Sequence, residues 1–314
     1  MTDQTTSPLF TVFIPCFNRA YALPRTLESV SGQTFRDFEI LIVDDGSTDN
    51  TKELIQEWQS RHRIPLRYIY QENQGKHSAY NLAAKEAQGE LLVLLDSDDI
   101  MLPDALSILA ENWHAITPEL RAEFAGVEGL CTDSQGRLHG DLFPDDVIDS
   151  NYLEITQRFG VKGEKRHAIR TDVLQQFPYP IVPGERHIRP SYVWKRIAHH
   201  YKFRYINKVI QVVDFLPDGL TRNAMARRLK NPRGLYLYWL DDLNNHQQYS
   251  NPTKRRYAGS QVIRYGLLCG ISLGQQWKEV TKRWAWLTGF PRGITDHITD
   301  RFKRKRISVV SHNV

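Results

Sequence analysis

The sequence predicts an α/β fold with a doubly wound, mostly parallel central sheet, followed by a C-terminal helical extension. Three features predict it. Short apolar runs at residues 11–15, 38–43, 66–70 and 90–95 have the length of strands, and 40–43 and 91–95 lack polar alternation, as strands covered on both faces do. Amphipathic helical periods lie between them, so strand and helix alternate four times. Beyond about residue 215 helical periods run on to the end.

Leu23, Leu27 and Val30 share one face of a first helix. Leu54, Ile55 and Trp58 share a face of the second, after a polar start at 47–50 in which Asn50 and Glu53 have capping-box spacing. A third helix is expected over 77–87, and a fourth begins near Pro103 with Leu106, Leu109 and Trp113 aligned. From about residue 124 the pattern changes to short strands and turns marked by Gly136, Gly140 and Pro144. Residues 192–200 read as helix, 203–215 as one or two strands, and 218–249 as largely helical with a break at Asn231-Pro232. The expected organisation is a domain over 1–215, with halves 1–123 and 124–215, and an extension over 216–314.

The chain has 314 residues, 41% of them hydrophobic, enough for one large core or a core with an appendage. Cys16, Cys131 and Cys269 are too scattered for a disulfide framework or a CxxC metal site and read as thiols in a reducing cytosol. The first residues lack the basic start and apolar stretch of a secretory signal, and the most apolar run, 262–273, contains Arg264, so no spanning helix is expected. Net charge is +5, and after residue 269 nine Lys or Arg stand against Glu279, Asp296 and Asp300, which leaves the body near neutral. A basic tail on a neutral body suits a polyanionic surface, anionic lipid or nucleic acid.

The chemistry is concentrated at two strand ends. Asp96-Ser97-Asp98-Asp99 directly follows the run 91–95, at the carboxyl end where open α/β sheets bind ligands. Three carboxylates in four residues repel one another, and a hard divalent cation, Mg or Mn, would relieve them while leaving positions for diphosphate oxygens. The bland alternative is a solvated turn before the next helix. Asp44-Asp45-Gly46-Ser47-Thr48-Asp49 closes the preceding strand in the same way, and a carboxylate there can accept from a nucleobase imide or ribose hydroxyl while Gly46 permits a tight turn. Asp-Gly-Ser is also ordinary turn chemistry. Lys76, after the Gly75 turn, could reach a diphosphate as a point charge.

These segments, together with Phe13-Ile14-Pro15-Cys16-Phe17-Asn18-Arg19, Ser29-Val30, Gln33-Thr34-Phe35, Asn73-Gln74-Gly75 and Asn81, resemble the bacterial family 2 glycosyltransferases of GT-A fold. The resemblance covers most of the N-terminal half. It implies that Pro15, Phe17, Asn18 and Arg19 cradle the donor nucleoside with Asp44 and Asp45. It further implies that Asp96 and Asp98, with Ser97 between them, form the Asp-x-Asp element, Asp98 being the direct metal ligand. The implied reaction is inverting transfer of a sugar from a nucleotide-sugar donor to a carbohydrate or lipid-linked acceptor hydroxyl, with a carboxylate as base. Relatives carry that base ahead of a helix, in a segment written Gly-Glu-Lys-Phe-x-x-Glu. Here Gly184-Glu185-Arg186-His187 occupies the place, but Pro190 stands where the second acid is expected, so Glu185 inherits the role, with Glu164 and Asp172 as rivals.

At the C-terminal end Trp277, Val280, Trp284 and Leu287 are expected on one helical face, and Ile294, Ile298 and Phe302 repeat the pattern before Lys303-Arg304-Lys305-Arg306. Such segments suit an anionic membrane surface, or else pack their aromatic face on the protein. Rival functions are a nucleotidyltransferase, a non-catalytic nucleotide-sugar-binding module, and a glycosyltransferase acting on nucleic acid. The first lacks a Gly-rich loop with Arg and Lys near the N-terminus.

Overall fold

The computed structural model describes residues 7–213 and 224–310. They form two compact units: residues 7–179 with 197–213, and residues 180–196 with 224–310. The segment 180–196, assigned from sequence to the first domain, belongs with the helical residues.

The first unit opens with β1 (Phe10–Cys16), α1 (Leu23–Ser31), β2 (Phe38–Asp44), α2 (Thr51–Arg61), β3 (Leu66–Tyr70), α3 (Lys76–Glu86) and β4 (Leu91–Leu94). It continues through β5 (Ile100–Met101), α4 (Ala105–His114), α5 (Pro118–Arg121), β6 (Phe124–Thr132), β7 (Val147–Ser150), a π-helical turn (Glu154–Arg158), β8 (Lys165–Arg170), α6 (Thr171–Gln176) and, later, β9 (Lys202–Val212). The sheet order is β3-β2-β1-β4-β8-β6-β9-β5, with β7 also on β9. β1 to β4 are parallel, as their uninterrupted apolar runs require, whereas β8 runs against β4 and β6. The first half is therefore doubly wound and the second is mixed. The expected Asn50 cap is made differently: Asp49 Oδ1, not the Asn50 side chain, accepts from Thr51 N at 3.2 Å.

Every residue of β1 and β2 is buried. Val12, Ile14, Ile40, Ile42, Leu91 and Val93 share a core with Leu23, Leu27, Val30 and Trp113 from the helices, each such side chain contributing roughly 1.5–3 kcal/mol of transfer free energy. Register then fixes what lies at the strand ends. Cys16 is level with Asp44, and Phe13 with Leu94, so residues 17–19, 44–49 and 96–99 emerge along one edge of the sheet.

The second unit contains α7 (Ser191–Ile197), α8 (Ala224–Lys230), α9 (Pro232–Asn245), α10 (Pro252–Leu268), α11 (Leu273–Glu279) and α12 (Arg283–Val310). Pro232 and Pro252 occupy first turns, where a missing N–H costs nothing, and Asn251 caps α10 by accepting from Lys254 N at 2.9 Å. The core here is Leu235, Tyr236, Leu243, Val262, Ile263 and Trp286. One expectation fails. The chain is extended at Val280, between α11 and α12, so Trp277 and Val280 pack on the core whereas Trp284 and Leu287 are 76% and 45% exposed. The four do not share a face, because the interruption rotates the second pair away from the first.

Candidate active site

The carboxyl ends of β1, β2 and β4 hold three loops that bond to one another. After β1, Asn18 adopts a left-handed conformation (φ 51°), its N–H donates to Ser47 Oγ and its Oδ1 accepts from Thr48 N, both at 2.8 Å. Asn tolerates this conformation better than most side chains. Asp44 Oδ1 accepts from Ser47 N at 2.8 Å and Oδ2 from Tyr68 OH at 2.7 Å, while burial and that carboxylate push the Tyr68 phenol up. Asp45 accepts from Gln71 Nε2, Gln74 N and Gly75 N at 2.6–2.8 Å. Its carboxylate thus shapes the turn that delivers Lys76. Gly46 (φ 87°) is required here, since a Cβ would lie 2.8 Å from Asn73 N.

The third loop is the acidic one. Asp99 N donates to Asp96 O at 3.0 Å, closing a turn, and α1 holds it from outside: Arg25 Nη2 donates to Asp98 O at 2.8 Å and Thr26 Oγ1 to Asp99 O at 2.9 Å. Ser97 is buried and hydrogen-bonds the Cys16 thiol, whose pKa burial raises. Asp96 pairs with Lys76 and lies 3.3 Å from Arg166 Nη2. Arg166 projects from β8, 7% exposed, and also donates to Asp99 Oδ2 at 2.9 Å, faces Glu164 Oε2 at 3.3 Å and is braced by Gln211 at 3.1 Å. Asp98 is approached by Arg19 Nε at 3.8 Å.

This arrangement separates the three acids electrostatically. Burial works against ionisation of Asp96, but Lys76 and Arg166 outweigh it and hold the carboxyl below the ordinary range. Burial, then the Asp96 charge, raises Asp98, and the same causes push Asp99 up to about 7. Asp98 thus has a weaker cationic environment than Asp96, its ion pair being the 3.8 Å approach of Arg19. Around it Phe17 (45% exposed) and Tyr21 (62%) present ring surface to solvent, with Arg19 over the Tyr21 ring.

Among the described residues no three His, Cys, Asp or Glu side chains group as a metal cage. A cation whose remaining ligands are phosphate oxygens and water needs only one or two carboxylates, and Asp98 offers a hard oxygen donor whose ion pair to Arg19 is long, at 3.8 Å. The residues therefore fit such an ion. A separate cleft of about 920 Å³, lined by Pro8, Gly89, Trp113 and Arg170 among others, lies at the amino ends of β1 and β4, opposite this chemistry.

Residues 11–119 match the family model described as Glycosyl transferase family 2. The chain is 36% identical over 243 residues, 74% of its own length and 72% of the relative's, to the GalNAc(5)-diNAcBac-PP-undecaprenol beta-1,3-glucosyltransferase of Campylobacter jejuni. The chain belongs to glycosyltransferase family 2. It is an enzyme of the glycosyltransferase class. Other relatives are matched over less of their length: chondroitin synthase of Escherichia coli is 39% identical over 107 residues, 34% of this chain but 16% of the synthase. The fold is that of TarS residues 1–349 from S. aureus in complex with UDP-GlcNAc (TM-score 0.62, 16% identity, 94% of this chain and 92% of that one). It is also that of the mannosyltransferase PcManGT from Pyrobaculum calidifontis in complex with GDP-Man and Mn2+ (TM-score 0.53, 18% identity, 93% and 88%).

Within this transferase the sequence-derived residues Pro15, Phe17, Asn18, Arg19, Asp44, Asp45, Asp96, Ser97 and Asp98 lie in the three loops or at their roots, and Lys76, at the start of α3 after the β3 loop, reaches them by pairing with Asp96. Glu185 lies in the second unit, where its carboxylate accepts from Arg233 N and Gly234 N, both at 2.7 Å, and so caps α9. Asp172 is held by Arg170, which is level with Leu91 at the amino end of β4, far from Asp96. Sequence reasoning missed the role of Arg166, Tyr68, Arg25 and Gln211. The usable signal was charge: three acids in four residues at a strand end need a compensating cation, and Arg166 is an arginine inside a strand-forming stretch.

Proposed function

We propose that the chain is a metal-dependent, inverting glycosyltransferase that moves a sugar from a nucleoside-diphosphate donor to an acceptor hydroxyl in polysaccharide or glycolipid assembly, working at a membrane surface. One observation carries this reading: Asp96 is held by two cations, Lys76 and Arg166, while Asp98 beside it has, among the described residues, one long ion pair, to Arg19 at 3.8 Å. Asn18, Arg19 and Asp44 frame the nucleoside, and the exposed Phe17 ring offers a stacking face. Lys76 can exchange Asp96 for a donor phosphate. Asp98 would hold Mg or Mn. When bound, the ion neutralises charge on the departing nucleoside diphosphate.

The acceptor proton needs a base. Glu185 is taken as that base: its two backbone bonds fix its orientation and leave a lone pair on each oxygen. Glu164, which shares Arg166 with the acidic loop, is the alternative. The C. jejuni relative is named for an undecaprenol-linked acceptor and TarS is seen with UDP-GlcNAc, so UDP-sugars and prenyl-diphosphate acceptors are the first to assay.

The test is metal-dependent release of nucleoside diphosphate coupled to product formation. Turnover undiminished by excess chelator would sink the metal, and release of pyrophosphate would sink the reaction class. Glu185→Gln is expected to keep donor affinity and lose transfer by at least about 10². Near-normal transfer in that variant, with loss in Glu164→Gln, would reassign the base.

A further inference from the structure

In α12 the residues that face the core are Trp286, Gly289, Gly293 and Asp300, all buried. The opposite face carries apolar side chains too, with exposed Thr288 and Thr295 beside them. Trp284 is 76% exposed, Leu287 45%, Ile298 48% and Phe302 66%, and at 100° per residue they fall with exposed Pro291 in one stripe about 27 Å long. Exposed apolar surface of that continuity calls for a partner.

Charge selects the partner. Across residues 252–303 there are ten Lys or Arg against three acids, and none of the three acids is exposed. Asp300 is paired to Arg264, Asp296 is shared by Arg264 at 3.8 Å and the exposed Arg292 at 3.7 Å, and Glu279 accepts from Tyr236 OH at 2.6 Å. Among the described residues, the exposed charges at the start of α10 and from residue 282 along α12 are Lys254, Arg255, Arg256, Lys282, Arg283, Arg292 and Arg301. Arg292 stacks over Tyr257 of α10 and Arg283 over Trp277, so guanidinium groups are held beside the stripe. In the sequence Arg304-Lys305-Arg306 follow. A second copy of this face would bring like charges together, and a phosphate backbone would leave an aliphatic stripe in water. A lipid surface satisfies both features, its acyl boundary taking the rings and its anionic headgroups the cations. No described helix is long and apolar enough to cross the bilayer.

We propose that α12 lies in the plane of an anionic membrane, with Trp284, Leu287, Ile298 and Phe302 inserted at the headgroup boundary. This deepens the membrane-surface reading of the proposed function and needs none of its transfer chemistry. The experiment is co-sedimentation of the full chain with vesicles of phosphatidylcholine mixed with phosphatidylglycerol, and of phosphatidylcholine alone, with donor turnover measured in parallel.

The full chain is expected to pellet with the anionic vesicles and remain in solution with the neutral ones. The double variant Trp284→Ser, Phe302→Ser is expected to lose at least roughly tenfold in vesicle partition with an unchanged melting temperature, because both side chains are already in water. Three results would overturn the proposal: a chain that stays in solution with both lipids at low salt, a double variant that pellets like the parent, or a parent dimer that the variant turns to monomer. A chain that docks without turnover breaks the transferase reading alone.

Discussion

Two ionic clusters, one on the acidic loop of the first unit and one on α9 of the second, use the same residue types and are tuned in opposite directions. In the first, a single buried guanidinium, Arg166, is divided among Asp96, Asp99 and Glu164, and Asp98 and Asp99 are driven toward protonation. In the second, Asp241 meets Arg196 Nε at 3.2 Å, His246 Nε2 at 2.8 Å and Asn245 Nδ2 at 2.8 Å. Asp242 beside it has Lys195 and Gln247. There burial opposes ionisation of Asp241, but His246, Asn245 and Arg196 overcome it and hold the carboxyl at about 2. A cluster whose acids are fully matched is structural. A cluster left short of positive charge is suited to a ligand that brings it.

The largest test of that contrast is Asp98→Ala. Asp98 makes one long ion pair, so stability should change by less than about 1 kcal/mol, while kcat/KM for transfer should fall by at least about 10³ because the oxygen that would bind the metal is gone. Steady-state kinetics and a thermal melt on the same sample check both halves. A large loss of stability would make Asp98 as structural as Asp241 and erase the contrast.

Arg166 is next, and here both properties should move. Arg166→Met leaves Asp96 and Asp99 without their buried partner and should cost about 3–5 kcal/mol in denaturant melts. Arg166→Lys restores one charge but not the spread of donors, so stability should return in part while kcat stays depressed at unchanged donor KM. Equal recovery of kcat and stability would show that charge alone, without the guanidinium geometry, sets the loop.

The contrast also explains what could be read from the sequence. Strands β1 to β4 were legible because Ile40–Val43 and Leu91–Leu95 are apolar on both faces, and Asp44 and Asp96 were legible because they directly follow such runs. The mixed half was not, since β8 carries Lys165, Arg166 and Arg170 in a strand whose burial comes from pairing with β4 and β6. Glu185 was read from its place before a helix, and the structure adds that it caps α9, a bond across about 48 residues that no local pattern announces. The Trp277 to Leu287 stripe was misread because periodicity assumes one helix, and the chain breaks it at Val280.

The smallest expected effect tests the matched cluster, through pH. Asp241 has a folded-state pKa of about 2 against about 3.9 for an unperturbed Asp. A folded pKa below the unfolded one means the carboxylate contributes stability that is complete above about pH 4 and is lost as pH falls toward 2. Asp241→Asn keeps the shape but removes the charge, so it should cost about 2–3 kcal/mol near neutral pH and progressively less on acidification. Urea melts of parent and variant across that range give the difference directly. A penalty that stayed constant down to the acid end would mean that packing and hydrogen-bond geometry hold Asp241 in place. The cluster would then stabilise α9 without being electrostatically matched, and its distinction from the acidic loop would rest on the loop alone. Transfer activity, measured where both chains are folded, should be the same in parent and variant, because Asp241 and its partners Arg196, Asn245 and His246 are none of the residues assigned to the donor, the metal or the base.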